Sequence, residues 1–309
     1  MTPKSIIKPL TQASLLATLL YAPPDLLERY LGPRFAQSIW PKIFKPLVKT
    51  LIGLGILKTI NRALNAWATN NWRISSSPPQ GEWDWPNEIA VVTGGCSGIG
   101  LALVEGLTSK GVRTAVLDIC EPPPSLQANS KAFFFSCDVS SLSSVIRAAE
   151  AYTTQQFVPG MVRRNKGHVV TLASLASHYT LTGCVSYSAS KAGAMAFHEG
   201  LGSELKHVYK APGVVTSIVH PYFVRTPMID PIQGQVDKVD KVLSIQDVVD
   251  PILRQIFSGR GGQLLLPKSL SHLSSLRGWP NWLQEFVRDT YARNAVKTLA
   301  SHELTQQQA

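Results

Sequence analysis

The chain has 309 residues, of which 44% are hydrophobic and 16% are charged, a composition that supports a sizeable core and excludes disordered and collagen-like classes. The four cysteines show neither C-x-x-C spacing nor the density of a secreted disulfide framework. We therefore expect free thiols, a reducing compartment and no metal site. Residues 1–80 carry ten Lys/Arg and two Asp/Glu, which is +8 of the net charge of +10.

The N-terminal arm, residues 1–74, alternates apolar runs with scattered cations and contains Trp40, Trp67 and Trp72. This pattern is typical of a membrane interface rather than of a nucleic-acid surface, so no nucleic-acid partner is expected. The longest uncharged stretch, Pro9 to Pro24, has 16 residues, fewer than the roughly 18 to 20 apolar residues of a spanning helix. We expect the arm to lie in the interface or to enter it as a hairpin. An arm that packs on the main domain or on a dimer partner is the alternative.

A polar, proline-rich linker, residues 75–88, separates the arm from a regular alternation of strands and helices. The predicted strands are IAVVTGG, RTAVLDI, KAFFFSCDVS, GHVVTLAS, GVVTSIVHP and GGQLLLP, and the predicted helices are GLALVEGLTSKG and the segments at about 186–209 and 245–258. This order predicts an α/β domain over 89–267 with a doubly wound, mostly parallel sheet. Residues 268–309 are predicted to form an amphipathic helical tail.

The stretch TGGCSGIG, Thr93 to Gly100, stands where the first predicted strand meets the first helix. Glycines there let the backbone approach a pyrophosphate and direct the N–H groups of the helix N-terminus at it. Asp118 ends the second strand, where a carboxylate accepts hydrogen bonds from ribose hydroxyls and repels a 2′-phosphate. The order strand, glycines, helix, strand and acid predicts a dinucleotide site that prefers NAD over NADP. A glycine turn that serves only tight packing is the alternative.

The stretch YSASK places Tyr187 and Lys191 four residues apart, on one face at the start of a predicted helix. A phenol can donate or accept a proton while a neighbouring ammonium lowers its pKa. An isolated pair of this kind would indicate only a solvated helix face. Ser174, however, ends the strand GHVVTLAS at the sheet edge where ligands bind in such folds. The three residues are therefore candidate catalytic groups.

These motifs together, from about residue 88 to 267, resemble the short-chain dehydrogenase/reductase family, and they imply a Rossmann-like fold. The resemblance implies that Tyr187 is the acid/base, that Lys191 lowers its pKa and holds the ribose, and that Ser174 orients the substrate oxygen. The implied cofactor-binding residues are Thr93, Gly94, Cys96, Ser97, Gly98, Ile99 and Gly100 in the glycine loop, Asp118 at the ribose, Asp138 and Val139 at the adenine, Tyr187 and Lys191, and Pro221, Val224 and Thr226 near the nicotinamide.

Tyr222 replaces the glycine that the family usually carries after the proline, a variation also found in its membrane-bound retinol and 17β-hydroxysteroid dehydrogenase branch. That branch also has a basic, apolar N-terminal arm. The resemblance implies oxidation of a lipophilic alcohol, or reduction of its ketone or aldehyde, at the endoplasmic reticulum or lipid droplet with the catalytic domain facing the cytosol. The helix that contains Tyr187 resembles one that forms homodimers in the family.

One central element of the family is missing from this sequence. From Asp138 to Ser174 there are only 36 residues, and neither the fourth strand, which ends in Asn-Asn-Ala-Gly in the family, nor the helix with the catalytic asparagine is present. The apolar stripe of the preceding segment, which includes Val145 and Ala149, does not continue in phase beyond it. We place the break near Ala151.

We expect the strand at 168–173 to pair directly with the strand at 89–94, since bare strand edges are costly. Such pairing would move Ser174 by about 4.8 Å, one strand spacing. The cofactor loop precedes the break, so cofactor binding should survive better than turnover. Three readings follow: an active NAD(P)-dependent enzyme, a cofactor-binding pseudoenzyme with little or no turnover, and an incomplete version of a normal enzyme.

Overall fold

A computed structural model of the chain describes residue 21 and residues 23–75, 82–137, 157–180, 182–232 and 242–306. The chain divides into two compact units, Met1–Trp67 and Ala68–Ala309. The predicted adenine contacts Asp138 and Val139, and the predicted break near Ala151, lie outside the described residues.

The first unit is helical and contains α1 (Pro24–Leu31), a π-helical segment (Phe35–Phe44) and the greater part of α2 (Lys45–Thr69). Pro41 lies inside the π-helical segment and has no N–H to donate, and the helix there widens so that the N–H of Lys45 bonds to the carbonyl of Trp40. A small core contains Leu27, Ala36, Trp40 and Val48. Within the described ranges, no helix is both long enough and apolar enough to cross a membrane.

The second unit is built from six described strands and the helices between them. The strands are β1 (Ile89–Thr93), β2 (Arg113–Asp118), β3 (Ala132–Ser136), β4 (Gly167–Leu172), β5 (Val214–Pro221) and β6 (Gly262–Leu266). The helices are α3 (Gly98–Ser109), α4 (Pro124–Gln127), α5 (157–164), α6 (Val185–His207), α7 (Ile245–Phe257) and α8 (Asn281–Gln306). Short 3₁₀ segments at Trp85–Asn87, Leu175–Ser177, Pro227–Ile232 and Lys268–Gly278 complete the unit. The predicted alternation of strands and helices is confirmed.

The strands form two parallel sheets of three, in the orders β1-β2-β3 and β4-β5-β6. Val91 pairs with Ala115 in the first sheet, and Val170 pairs with Ser217 in the second. β5 is buried along nearly its whole length, as expected of a central strand, whereas Ile89 at the start of β1 is 66% exposed.

The expectation that β1 and β4 pair directly is wrong. Among the described residues β1 pairs only with β2, and β4 pairs only with β5. Ala173 donates its N–H to Val219 on β5, and backbone groups alternate in direction along a strand, so those of Leu172 face the other edge of β4. We call the two unpaired edges the open edges of β1 and β4.

Helix packing and an ion pair explain how the two sheets stay associated without this pairing. Gly106 on α3 lies so close to Leu253 on α7 that a Cβ at Gly106 would be 2.3 Å from the Leu253 Cδ1. Ile99 on α3 packs against the core cluster around Val248. Lys166, just before β4, forms an ion pair with Glu88, just before β1, at 2.5 Å. The helices and this pair join the sheets, so the fold tolerates the open edges.

The C-terminal tail is helical as predicted and covers the turn after β4. Leu273 and Leu276, in the 3₁₀ segment before α8, pack in one buried cluster with Leu175 and Tyr179. Arg277 donates from its Nε to the carbonyl of His178 at 3.0 Å. The tail therefore supports the segment that follows Ser174.

Candidate active site

The turn between β1 and α3 has a backbone that requires glycine at several positions. Gly94 has a φ of +66° and Gly98 a φ of +52°, both in the left-handed region that side chains disfavour. A Cβ at Gly100 would lie 1.9 Å from the carbonyl oxygen of Gly94. Gly95, which was not among the predicted site residues, is also restricted, because its Cβ would lie 2.7 Å from Val116 Cγ1. The turn thus presents backbone rather than side chains.

Helix α3 directs its N-terminus at this turn. Ser97 is the N-cap residue with an extended backbone, and its side chain makes no capping hydrogen bond. The N–H groups of the first helical turn have no partner within a helix, and they attract an anion. Thr93 and Ser97 are exposed, whereas Ile99 packs into the core, so Ile99 contributes only its backbone to the turn.

Asp118 is tied to the glycine turn through its carboxylate. Oδ2 accepts from the N–H of Cys96 at 2.8 Å, and Oδ1 accepts from the N–H of Cys120 at 3.0 Å. Burial alone would raise the pKa of Asp118, but the backbone N–H groups of Cys120, Cys96 and Ile119 outweigh it and hold the pKa below its usual value. The carboxylate is ionised at neutral pH, and each oxygen keeps a lone pair for a further donor such as a ribose hydroxyl.

The thiol of Cys96 has a different character. Burial and the carboxylate of Asp118 raise the pKa of Cys96 to about 11. The thiol is therefore protonated at neutral pH and is not a nucleophile. Cys96 contributes its backbone N–H to the turn.

Ser174 lies two residues beyond the end of β4 and is 7% exposed. It is the N-cap residue of the 3₁₀ segment Leu175–Ser177, and its Oγ accepts from the N–H of Ala176 at 3.2 Å. The same hydroxyl lies 3.4 Å from the carbonyl oxygen of Pro221, to which it donates. The serine is thus held between the ends of β4 and β5.

Tyr187 and Lys191 lie one turn apart near the start of α6. The Nζ of Lys191 is 5.9 Å from the centre of the Tyr187 ring, and it donates to the carbonyl oxygen of Leu172 at 3.0 Å. Leu172 is two residues before Ser174, so Lys191 links the start of α6 to the carboxyl end of β4. Tyr187 is 38% exposed. Within the described part of the chain its hydroxyl forms no hydrogen bond with Ser174.

The segment after β5 returns to the glycine turn. The Cγ2 of Thr226 would be 3.4 Å from a Cβ at Gly98, so Thr226 lies directly against the turn. Val224 is buried and pairs with Leu243 in a parallel bridge. Pro221 is buried at the end of β5. The chain therefore places its predicted nicotinamide-side segment beside its predicted pyrophosphate loop.

Two surface depressions lie elsewhere, near the C-terminal end of α3. One is lined by residues that include Asn129 and the other by residues that include Asp250. Neither contains a predicted site residue, and neither collects catalytic side chains. The chemistry of the second unit is concentrated at the carboxyl ends of β1, β2, β4 and β5, as expected for ligand sites in open parallel sheets.

Comparison with known families gives a match in two pieces. The family described as short chain dehydrogenase matches residues 88–154 and, separately, residues 149–237. The two pieces overlap at 149–154, where the sequence analysis places the break near Ala151. The match to the family therefore ends near the break and a second match begins there.

Three curated proteins illustrate the sequence similarity. Dehydrogenase RED2 of Cochliobolus heterostrophus is 31% identical over 217 residues, which cover 55% of this chain and 80% of that protein. Human estradiol 17-beta-dehydrogenase 11 is 31% identical over 41% of each chain. Human retinol dehydrogenase 10 is 44% identical over 26% of this chain and 23% of its own length. The chain thus spans less than half the length of the two human relatives.

Two crystal structures illustrate the similarity in fold. A short chain dehydrogenase/reductase from Burkholderia phymatum in complex with NAD has a TM-score of 0.55, with 20% identity over 65% of this chain and 96% of that chain. A short chain dehydrogenase from Burkholderia cenocepacia in complex with NADP has a TM-score of 0.52, with 16% identity over 67% and 99%. At these identities the likeness concerns the fold.

Proposed function

Because the chain belongs to the short-chain dehydrogenase/reductase family, we propose that it is an NAD(P)-dependent oxidoreductase that interconverts a lipophilic alcohol and its ketone or aldehyde. The observation that carries this proposal is the position of Lys191, between the Tyr187 ring and the carboxyl end of β4. Lys191 connects Tyr187 with Ser174, because it bonds to the strand just before Ser174 and lies beside the Tyr187 ring.

The residues present fit a nicotinamide dinucleotide. The left-handed glycines and the uncapped N-terminus of α3 suit a pyrophosphate, and the ionised Asp118 suits ribose hydroxyls. Thr226 lies against Gly98 and would hold the nicotinamide side. When bound, the cofactor supplies or accepts the hydride.

The side chains of the chain would handle the proton. The Tyr187 hydroxyl, near the exposed surface of α6, takes the proton from an alcohol or gives one to a carbonyl. The Lys191 ammonium, which lies beside the Tyr187 ring, would hold the ribose of the cofactor. Ser174 donates its hydroxyl hydrogen to the substrate oxygen, in place of its long contact with the Pro221 carbonyl.

We propose a retinoid, a steroid or a long-chain lipid alcohol as the substrate. The names of the two human relatives refer to estradiol and retinol, both lipophilic alcohols. The purified full chain should be assayed with NAD⁺ on retinol, estradiol and long-chain alcohols, and with NADH on the matching carbonyl compounds. Turnover of at least one pair that is lost in Tyr187→Phe supports the proposal, and turnover that persists in this variant contradicts the role of Tyr187.

A preference for NAD over NADP is part of the proposal. The support is the ionised carboxylate of Asp118, which would lie near the 2′-position of the adenosine ribose and repel a phosphate there. Measured affinities for NADH and NADPH test this preference. Tighter binding of NADPH would contradict it.

A cofactor-binding pseudoenzyme is the second candidate function. The open edges of β1 and β4 favour it, because the position of the sheet β1-β2-β3 relative to the sheet β4-β5-β6 decides whether a hydride can reach the substrate. Transfer requires reacting atoms within about 3.5 Å. A pseudoenzyme would bind NADH and turn over no member of the substrate panel. Steady NADH production would exclude this candidate.

The third reading, an incomplete version of a normal enzyme, is tested on the transcript. The support is the family match in two overlapping pieces, 88–154 and 149–237. Sequencing the native transcript across codons 138 to 168 would detect an additional segment with a strand and an Asn-Asn-Ala-Gly turn. A transcript identical to this sequence would exclude this reading. It would also favour the pseudoenzyme over the active enzyme as the function of the chain.

We propose that the arm binds the cytosolic surface of the endoplasmic reticulum or lipid droplet. The exposed apolar side chains of α2 that lie among its cations support this placement: Leu47, Leu51, Leu54, Ile56, Leu57, Ile60 and Leu64. Flotation with phosphatidylcholine vesicles, with and without phosphatidylserine, tests it. We expect stronger flotation with the anionic lipid and loss of flotation in Leu54→Glu/Leu57→Glu. Flotation that the double variant does not change would contradict this placement.

A homodimer through α6 remains a prediction from the family resemblance. Light scattering of the chain in detergent measures the mass directly. A mass of one chain at all concentrations would contradict the prediction.

A further inference from the structure

A buried imidazole lies directly beneath the candidate catalytic serine. His220, on β5, has no exposed surface. Its Nδ1 is 3.1 Å from the carbonyl oxygen of Ser174 and 2.9 Å from Ser177 Oγ. Its Nε2 is 3.2 Å from the side-chain amide nitrogen of Gln263 on β6. Both ring nitrogens are therefore engaged.

These contacts select one tautomer. The carbonyl oxygen of Ser174 can only accept, and Ser177 Oγ gives its single hydrogen to that same oxygen at 2.6 Å. The hydrogen between His220 and these two oxygens must therefore be on Nδ1. A neutral ring then has an accepting Nε2, which is what the amide donor of Gln263 requires. Burial lowers the pKa of His220 to about 4, in agreement with a neutral ring at neutral pH.

The same contacts determine the geometry of the turn that carries the Ser174 hydroxyl. The carbonyl oxygen of Ser174 accepts from the N–H of Ser177 at 3.0 Å, from Ser177 Oγ and from His220. The N–H of Ala176 meanwhile holds Ser174 Oγ. Removing the His220 donor would leave the buried Ser177 Oγ without a donor and the Ser174 carbonyl held by Ser177 alone, and the turn would relax.

We propose that His220 is a positioning residue, which as its Nδ1–H tautomer fixes the turn at Ser174 and aims the serine hydroxyl at the substrate oxygen. This inference rests on the proposed function, because it assumes that Ser174 orients the substrate. His220 itself touches neither substrate nor cofactor, and Gln263 acts through it by fixing the tautomer.

Two substitutions at one position separate positioning from packing. In His220→Asn the amide nitrogen takes the place of Nδ1 and keeps the donor, whereas His220→Leu keeps apolar volume and removes it. His168→Asn is the control, since His168 is a partly buried imidazole in this sheet that contacts Ser217 instead of the Ser174 turn. The readouts are kcat, the affinity for NADH, and the hydrogen exchange of the Ala176 amide by NMR.

We expect His220→Leu to lower kcat by about 10- to 100-fold, because a small displacement of a positioned group has effects of this size. Its affinity for NADH should stay within about twofold, since the cofactor loop is on the other sheet, and its Ala176 amide should exchange about tenfold faster. His220→Asn should restore both kcat and exchange to within about threefold of the wild type, a rescue that packing alone would not produce.

The proposal is overturned if His220→Asn loses as much as His220→Leu, or if His168→Asn lowers kcat and speeds Ala176 exchange equally. A wild-type protein without turnover would contradict the proposed function instead. In that case the hydrogen exchange of the Ala176 amide alone tests the positioning role. Protection of this amide in the wild type and in His220→Asn, but not in His220→Leu, supports the role. Equal exchange in all three proteins overturns it.

Discussion

The front sheet, β1-β2-β3, and the back sheet, β4-β5-β6, solve different problems with different kinds of contact. The front sheet links its site residues within two consecutive strands, since the N–H of Cys96, just after β1, bonds to the carboxylate of Asp118 on β2. The back sheet draws its site from β4, β5 and α6, since Ser174 bonds to Pro221 and Lys191 bonds to Leu172. The glycine turn and Asp118 therefore both belong to the front sheet.

This difference predicts which activity withstands the loss of a central strand. The proposed pyrophosphate and ribose contacts at the glycine turn and Asp118 depend on local backbone geometry before the break. Turnover depends on the register between the two sheets, and their described strands share no hydrogen bonds across the open edges. Cofactor binding should therefore tolerate the loss of the strand, whereas catalysis should be sensitive to it. Four changes test this difference between cofactor binding and turnover.

The largest effect is expected for Tyr187→Phe, which removes the proton-transferring hydroxyl from the back sheet. Turnover should fall by about 10²- to 10⁴-fold, the usual contribution of general acid–base catalysis. NADH affinity should remain within about threefold, because Tyr187 is 38% exposed and its hydroxyl forms no described hydrogen bond. Steady-state kinetics and a fluorescence titration measure the two quantities. A loss of binding equal to the loss of turnover would refute the assigned role.

The converse effect is expected for Gly100→Ala on the front sheet. The new Cβ would lie 1.9 Å from the Gly94 carbonyl oxygen, so the turn must open. NADH affinity should fall by about 100-fold, because the N–H groups no longer converge on the pyrophosphate. Gly200→Ala on α6 is the control, since nothing lies within 4 Å of its Cβ position. Equal binding by both variants would show that the turn does not hold the cofactor.

Acid should weaken the back sheet before the front sheet. Burial lowers the pKa of His168, His198 and His220 from 6.5 to about 4. The unfolded chain takes up these protons near 6.5 and the folded chain only near 4, so stability is complete above 6.5 and is lost as the pH falls towards 4.

The expected loss at about pH 5 is roughly 2 kcal/mol for each of these histidines, an upper estimate from the linkage relation. Urea unfolding at neutral and acidic pH, followed by circular dichroism, measures the total. His168→Gln/His198→Gln should flatten the dependence. A free energy of unfolding that is constant from neutral pH to about pH 5 would contradict the neutral buried rings.

The smallest effect is expected for Asp118→Asn. The amide keeps the size of the side chain but removes the negative charge that two backbone N–H groups now stabilise. The ratio of NADH to NADPH affinity should fall by about tenfold, because a 2′-phosphate is no longer repelled. Competitive titration with the two cofactors measures the ratio, and an unchanged ratio would remove Asp118 from cofactor selection.

Much of the fold was predictable because its signals are local. Apolar runs such as IAVVT and VVTSIVHP predict strands, and glycines between a strand and a helix predict the turn. The sequence pattern does not show which strand edges meet. The contact between Gly106 and Leu253, which joins the helices of the two sheets, links residues far apart in the chain and has no periodic signature. For this reason the direct pairing of β1 with β4 was wrongly expected.

The candidate site was predictable to a similar extent. Ser174, Tyr187, Lys191 and Thr226 stand in recognisable motifs. Lys191 bonds to the strand before Ser174, and Thr226 lies against the glycine turn. His220 was missed because only its contacts reveal its role. A polar residue at the end of an otherwise apolar buried strand was the available signal.

A fluorescence titration of the wild-type chain with NADH, run beside Gly100→Ala, tests the proposed cofactor site most directly. We expect saturable binding below about 1 mM NADH that the glycine variant loses, whatever the turnover proves to be. No saturation, or equal binding by both proteins, would contradict a cofactor site built on the glycine turn.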